Sequence, residues 1–300
     1  MADVQAGFGV PVGMGSGVQG ERQTRQLRGV DGTVDEVRAA TPELSVVIAS
    51  VNGYPYLAEC LLSLERQTAR DRLEVIVVDR LADGTAERAE ADFPLVRVLR
   101  ASRARSVPQL RSEGLRAARG AVVAITEDHV VAPVGWAAAI LDAHARYPCT
   151  AAIPGMNTSY KRRAIEACGD LFYAGVWETF LHARLLELGE ELRADPAILL
   201  HHNKSFGWGE FLAQRYYLAR SFAGMRVAGA GPARKAAFAL ASPALLPLLS
   251  WRIARRSLRK GYGAQLRRAA PVLLLFLLAW SAGEGMGYAL GEGDASARVE

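Results

Sequence analysis

The residues of this chain with the clearest chemical potential are acidic. Glu127, Asp128 and His129 follow an apolar run, Ala121 to Thr126, and Asp79 closes another, Val75-Ile76-Val77-Val78. Carboxylates beside an imidazole suit Mn²⁺ or Mg²⁺, whose remaining coordination positions stay open to diphosphate oxygens. The same triplet can also serve as an ordinary turn cap, so its meaning depends on what surrounds it. Glu178 opens a stretch with helical apolar spacing, Trp177 to Leu188, where the helix dipole favours a carboxylate. Such a group either accepts a proton from a substrate or only stabilises the first turn, and Asp170 is the second candidate for the proton-accepting role. His201 follows the apolar Ala197 to Leu200, and a capping or core histidine is one reading of it.

These residues need a frame. Strands are predicted at Leu44 to Ala49, Leu73 to Asp79, Leu95 to Arg100 and Ala121 to Thr126. Helices are predicted between them at Tyr56 to Gln67, Asp83 to Asp92 and Pro108 to Ala118, with another at Pro133 to Tyr147. Continuous apolar strands alternating with amphipathic helices imply an α/β fold, a mainly parallel sheet with helices on both faces. Ligands of such sheets bind beyond the carboxyl ends of the strands, where Asp79 and the acidic triplet stand. Further on, helices are expected at Tyr160 to Cys168, Trp177 to Leu188 and Trp208 to Ala223, with a short strand at Ala197 to Leu200.

The 300 residues, half of them apolar, are enough for one large domain and an appendage. Lys and Arg number 36 against 31 Asp and Glu, and residues 252 to 268 hold seven basic residues and no acidic one. Beside long apolar runs, such a block points to anionic lipid headgroups, and the lack of an aromatic-rich basic groove disfavours nucleic acid. Ala236 to Trp251 is apolar but short and carries Pro243 and Pro247, whereas Ala269 to Gly291 is long enough to span a membrane. If both spanned and the preceding domain were cytoplasmic, the basic block would lie outside, against the positive-inside rule. The first run is therefore expected to lie in or re-enter the cytoplasmic interface, with Arg255, Arg256, Arg259 and Lys260 at the headgroups. The second is expected to be an interfacial helix or a single span. Cys60, Cys149 and Cys168 form no pattern of disulfides, and Cys60 and Cys168 are expected to be small core residues. His144 is expected at the surface, and Trp208, Phe211, Tyr216 and Tyr217 are expected to pack a helix rather than to hold a sugar.

Taken in order, Leu44 to Leu57 with its Ser50-Val51-Asn52-Gly53, the strand ending Val77-Val78-Asp79, Ala118-Arg119-Gly120, and the acidic triplet with Pro133 and Trp136 behind it resemble family 2 glycosyltransferases of the GT-A fold. Pro154-Gly155-Met156-Asn157-Thr158-Ser159-Tyr160-Lys161-Arg162 resembles the family's acceptor-side stretch. Trp177-Glu178-Thr179, with Arg184-Leu185 and Gly189, resembles the helix start that carries its base. The likeness covers roughly residues 43 to 225. It implies that Ser50, Asn52 and Asp79 contact the nucleoside, that Arg111 lies near the diphosphate, and that Glu127, Asp128 and His129 hold the metal and diphosphate, Asp128 contacting the donor as well. Glu178 would be the catalytic base, and His201, resembling a histidine found at that place in the family, would be a further metal or diphosphate contact. Two departures stand out: Glu and His occupy positions that the family usually gives to Asp, and the run from Tyr147-Pro148-Cys149 to Pro154 is short.

The resemblance implies an inverting glycosyltransferase that moves a sugar from a nucleotide-sugar donor to a hydroxyl acceptor, glycan or lipid-linked, with Mn²⁺ or Mg²⁺. The expected domains are a tail at 1 to 42, a GT-A domain at 43 to 226 and a membrane-associated helical region at 227 to 300. The expected place is the inner membrane, with the catalytic domain on the cytoplasmic face and membrane lipids as partners. The departures motivate the alternative of a catalytically weakened sugar-nucleotide-binding or assembly subunit. A nucleotidyltransferase is disfavoured because Ser50 to Tyr54 holds no Gly-rich phosphate loop with a basic residue.

Overall fold

The computed structural model describes residues 41–147, 150–151 and 157–299. The expected tail lies almost wholly outside the described residues, as do Pro148, Cys149 and the Pro154-Gly155-Met156 part of the acceptor-side stretch.

In chain order the elements are Leu44–Ser50 (β1), Tyr54–Glu65 (α1), Leu73–Asp79 (β2), Thr85–Asp92 (α2), Val96–Arg100 (β3), Val107–Ala117 (α3), Val122–Glu127 (β4), Val130–Val131 (β5) and Trp136–Arg146 (α4). There follow Thr150–Ala151 (β6), Asn157–Lys161 (β7), Arg162–Glu166 (α5), Asp170–Tyr173 (α6), Glu178–Glu187 (α7), Leu192–Arg193 (β8) and His201–His202 (β9). The last helices are Trp208–Arg226 (α8), Pro232–Ala241 (α9), Leu245–Arg259 (α10) and Gly263–Leu290 (α11).

The main sheet has the order β3-β2-β1-β4-β7, with the first four strands parallel and β7 antiparallel to β4. Because successive side chains leave a strand on opposite faces, β1 feeds two cores. Leu44, Val46 and Ile48 pack with Leu57, Leu61 and Ile140 of α1 and α4, and Val47 and Ala49 pack with Leu110 and Leu115 of α3. The chain leaves β1 to build one side of the sheet and returns at β4 to build the other. The gap beyond the carboxyl ends of β1 and β4 is thus the topological switch point, where such sheets bind ligands.

Two expectations are corrected. Tyr160 lies in β7, not in a helix: its fully buried ring serves the face of the sheet opposite α4, and Val123 of β4 is its pairing partner. The short strand is His201–His202 rather than 197 to 200, fixed by antiparallel pairing of Val130 with His202 and Val131 with His201.

The C-terminal helices are joined to this sheet by α8. Pro232–Arg259 and Gly263–Leu290 are each 28 residues long and apolar enough to cross a membrane, with 6% and 22% of their apolar windows buried. The second half of α11 lies along α8, and the approach is close because Gly283 and Gly287 carry no side chain. A Cβ at either position would collide with the backbone carbonyl of Tyr216 or Arg220. Arg226 of α8 pairs with the buried Glu284 of α11 at 3.2 Å. Earlier on α11, Leu274, Leu275 and Leu278 are exposed. After α11 the chain turns back through a 3-10 turn, Ala295–Arg298, to bury Val299 in the core beside α3. There Gln214 Nε2 donates to the Arg298 carbonyl at 3.2 Å, and Arg80 Nη2 to that of Val299 at 3.3 Å.

Candidate active site

Glu127 ends β4 and the chain then turns sharply into β5, so Glu127, Asp128 and His129 leave the backbone in different directions. The Asp128 carboxylate turns back under the β1–α1 loop and is fully buried. Its Oδ2 accepts the backbone N–H groups of Val51 and Asn52, each at 2.7 Å, and its Oδ1 accepts Asn52 Nδ2 at 2.7 Å. Asp128 is therefore not brought to a metal cluster; its lone pairs hold two loops together. Of the expected triplet, Glu127 and His129 line the cavity and Asp128 does not.

The three ligand atoms that converge come from Glu127, His129 and His202, all within 4.8 Å of one another. His129 Nε2 faces Glu127 Oε2 at 3.3 Å, and its ring meets that of His202 edge-on at 4.5 Å between centroids. His129 Nδ1 lies 3.0 Å from both Asp128 Oδ1 and Asn52 Nδ2, so either tautomer is satisfied. The tautomer that donates from Nδ1 to Asp128 leaves the Nε2 lone pair toward the cluster, the arrangement in which an outer carboxylate orients a ligating histidine. Partial desolvation of the otherwise exposed ring, reinforced by the neighbouring His129, lowers the pKa of His202 and favours the neutral imidazole that a metal needs. One carboxylate and two imidazoles fit a divalent cation, and the nitrogen content favours Mn²⁺ over Mg²⁺.

His202 escaped the sequence reading, which chose His201. The two histidines leave the strand on opposite sides, and only the register with β5 decides which one reaches the site. Lys204 was also missed: its Nζ donates to Asn52 Oδ1 at 2.6 Å, which fixes the amide and turns its Nδ2 toward Asp128.

Across the cavity, Glu178 is the first residue of α7 and is buried. Arg111 of α3, 3% exposed, binds both acids: Nη2 donates to Glu127 Oε1 at 2.9 Å and Nη1 to Glu178 Oε1. The guanidinium thus ties the end of β4 to the start of α7. It lines the cavity, with its charge engaged by two carboxylates. Ser50 and Asp79, at the ends of β1 and β2, bond to each other at 2.7 Å, and burial raises the pKa of Asp79. Ser50, Asn52, Asp79 and Asp128 do not line the cavity; Arg111, Glu127, His129, Glu178 and His202 do.

That cavity has a volume of about 420 Å³, and its far wall is apolar. Leu218 and Phe222 of α8, Trp280 of α11 and Val299 build it, and Arg215 of α8 enters from the same side. Helix α8 therefore has a double role: Phe211 packs against Phe276 of α11 as a structural residue, whereas Trp208 is 65% exposed. Cys60 and Cys168 are buried as expected, and burial pushes both thiols up. His144 is corrected from surface to interior: it is 5% exposed, and its Nε2 lies 2.9 Å from Ser159 Oγ.

Residues 45–172 match the sequence model of glycosyl transferase family 2. Among solved structures, a mannosyltransferase from Pyrobaculum calidifontis, determined in complex with GDP-Man and Mn²⁺, is similar with 20% identity and a TM-score of 0.54 over 81% of this chain and 87% of that one. The crystal structure of TarS from S. aureus is similar at 18% identity and a TM-score of 0.44, over 60% of this chain and 39% of that one. The mannosyltransferase likeness places the fold in the GT-A class. No curated protein sequence matches the chain.

Proposed function

From a chain whose residues 45–172 match glycosyl transferase family 2 and whose sheet has the GT-A layout, we propose an inverting transfer of a sugar from a nucleotide-activated donor to a hydroxyl acceptor. The observation that carries this reading is the meeting, in one cavity at the strand carboxyl ends, of the Glu127, His129 and His202 cluster with a separate carboxylate, Glu178. Residues 43–226 form the transferase domain in this reading, 1–42 a tail, and 227–300 a region that holds the domain to the cytoplasmic face of a membrane.

Glu127, His129 and His202 would hold Mn²⁺, and the bound ion would neutralise charge on the donor diphosphate. Asp128 orients His129 and anchors the β1–α1 loop that carries Asn52. Ser50 and Asp79, locked to each other, face the nucleoside side. Arg111 fixes the spacing of Glu127 and Glu178. Glu178 Oε1 is held by Arg111, which leaves Oε2 for the acceptor. In the transfer, the acceptor oxygen bonds to the anomeric carbon as that carbon's bond to the diphosphate breaks. The acceptor proton passes to Glu178, and the bonding pair leaves on the nucleoside diphosphate.

The test is a labelled nucleotide-sugar panel with Mn²⁺, read as donor binding and as release of nucleoside diphosphate. Glu178→Gln is expected to bind donor normally and to lose about 10²- to 10⁴-fold in transfer rate. Near-wild-type turnover in that variant removes Glu178 from the role and turns attention to Asp170. Donor binding without transfer by the wild type favours the binding-subunit reading.

A further inference from the structure

A second cavity, of about 560 Å³, opens at the amino end of the main sheet, opposite the metal-cluster end. Its size falls in the range of about 300–1,000 Å³ at which proteins hold small molecules. Val122 at the start of β4, Lys161 at the end of β7, Arg162 and Arg163 of α5, and Leu141 and His144 of α4 line it. Two carboxylates, Glu43 and Glu166, also line it, and Arg72 and Arg162 answer them at 2.6 and 3.6 Å. Arg163 pairs at 3.4 Å with Glu190, outside the lining. Lys161 is the cation that remains: among the described residues it forms no ion pair, and its Nζ donates to the Tyr147 carbonyl at 2.6 Å, just past α4. That bond uses one of three ammonium protons.

Two more donors of this lining are buried without an acceptor. His144 is 5% exposed. Its Nε2 takes the Ser159 hydroxyl at 2.9 Å in the tautomer that carries its proton on Nδ1, and Nδ1 has no partner among the described residues. Burial, and then the charge of Lys161, keep this ring neutral, so it offers an N–H rather than a charge. Arg162 Nε donates to the Gly120 carbonyl at 2.8 Å, which fixes the guanidinium, while its Nη2 is buried and unbonded. Buried donors without acceptors are costly, and two in the wall of one cavity, beside an unpaired ammonium, point to an anion that a ligand supplies. The three donors come from α4, β7 and α5. Such a set suits the three terminal oxygens of a phosphomonoester, with a charge of about −1.5 to −2 at neutral pH, better than a flat carboxylate.

We propose that this cavity binds a small soluble phosphomonoester, its phosphate held by Lys161 Nζ, Arg162 Nη2 and His144 Nδ1 and its organic part laid against Val122 and Leu141. The site shares no residue with the cavity of Glu127, His129, His202 and Glu178, so it stands independently of the transfer reaction.

The experiment uses the full chain in a neutral detergent with a metal chelator, titrated calorimetrically with phenyl phosphate, inorganic phosphate and phenol, and a thermal melt of each variant. The wild type is expected to bind phenyl phosphate at least about tenfold more tightly than either other probe. Lys161→Gln and His144→Phe should each weaken that binding about tenfold, and Lys161→Arg should keep most of it. His202→Ala, in the other cavity, should leave it within about twofold. Cosedimentation with vesicles of phosphatidylcholine and phosphatidic acid should be the same for the wild type and Lys161→Gln. The proposal is overturned if inorganic phosphate or phenol binds as tightly as phenyl phosphate, or if Lys161→Gln and His144→Phe melt with the wild type and bind phenyl phosphate as it does. Binding abolished by His202→Ala and kept by Lys161→Gln would overturn it too, by moving the phosphate to the other cavity. Loss of vesicle binding in Lys161→Gln would overturn the soluble ligand and put a lipid headgroup in its place.

Discussion

Glu127 and Asp128 are adjacent in sequence, and the turn at the end of β4 sends them to opposite duties. Glu127 points into the cavity, whereas Asp128 is sealed beneath the β1–α1 loop with its oxygens occupied by three N–H donors. Asp128→Asn replaces an acceptor oxygen by a donor amide facing other donors, and the expected cost is about 1–3 kcal/mol. That variant should melt earlier and bind Mn²⁺ weakly for want of an oriented His129. His202→Ala, at an exposed strand position, should keep the wild-type melting temperature and still lose the ion. Calorimetric Mn²⁺ titration with a thermal melt of each separates the two; equal melting of both variants would remove the supporting role from Asp128. His144 makes a pH prediction. Burial first, and Lys161 second, pull its pKa to about 4 from an ordinary 6.5. The unfolded chain then binds more protons between these values, so stability falls as pH drops from about 6.5 toward 4, by roughly 3 kcal/mol at most. Urea unfolding across this range should show the loss, and His144→Gln should flatten it.

The pairing of α8 with α11 decides the shape of the cavity at the level of elements. Its closeness depends on Gly283 and Gly287, and Glu284, bonded to Arg226 and to Trp280 Nε1 at 2.7 Å, fixes the indole that lines the site. Gly287→Val would push α11 off the Arg220 carbonyl and displace Trp280. The expected result is a loss of about 1–3 kcal/mol in stability, together with slower transfer and an intact sheet. A melt combined with Mn²⁺ binding tests this, since unchanged transfer would mean that the α11 wall is not part of the working site. The parallel strands were legible as elements because each is an apolar run bounded by turn residues, and β2 occupies the predicted Leu73 to Asp79. Tyr160 was misread because Tyr160 to Cys168 has helical apolar spacing, and only the place beside β4 makes its first residues a strand.

For the molecule as a whole, the C-terminal region is both a surface and a wall. Removing it would take away Trp280 and Val299 from the cavity and bare the face of α8, so a truncated chain is a poor test of membrane attachment. Charge reversal is better. With Arg255, Arg256, Arg259 and Lys260 all changed to Glu, cosedimentation with anionic vesicles is expected to fall steeply, since each basic residue near such a surface contributes about 1 kcal/mol. The wild type should also release in high salt if these residues dominate. Sedimentation unchanged by both would assign the attachment to the apolar helices alone.

The sequence alone determined what local patterning controls. Apolar runs at periods of two and 3.6 set the strands and helices, their alternation set a parallel sheet, and the strand end at Glu127 marked the end of the sheet where the cavity lies. Residues 252 to 268, basic and next to apolar runs, set an expectation of anionic lipid contact by composition alone. Tertiary structure decided everything that depends on direction and on distant partners. Whether Asp128 or His202 joins Glu127 turns on a bend of two residues and on a strand register across about seventy, and the partnership of Arg111 with Glu178 crosses sixty-seven residues. Local periodicity fixes which face of an element is apolar, but the direction of a single side chain at a chain turn follows from packing between segments that the sequence keeps far apart.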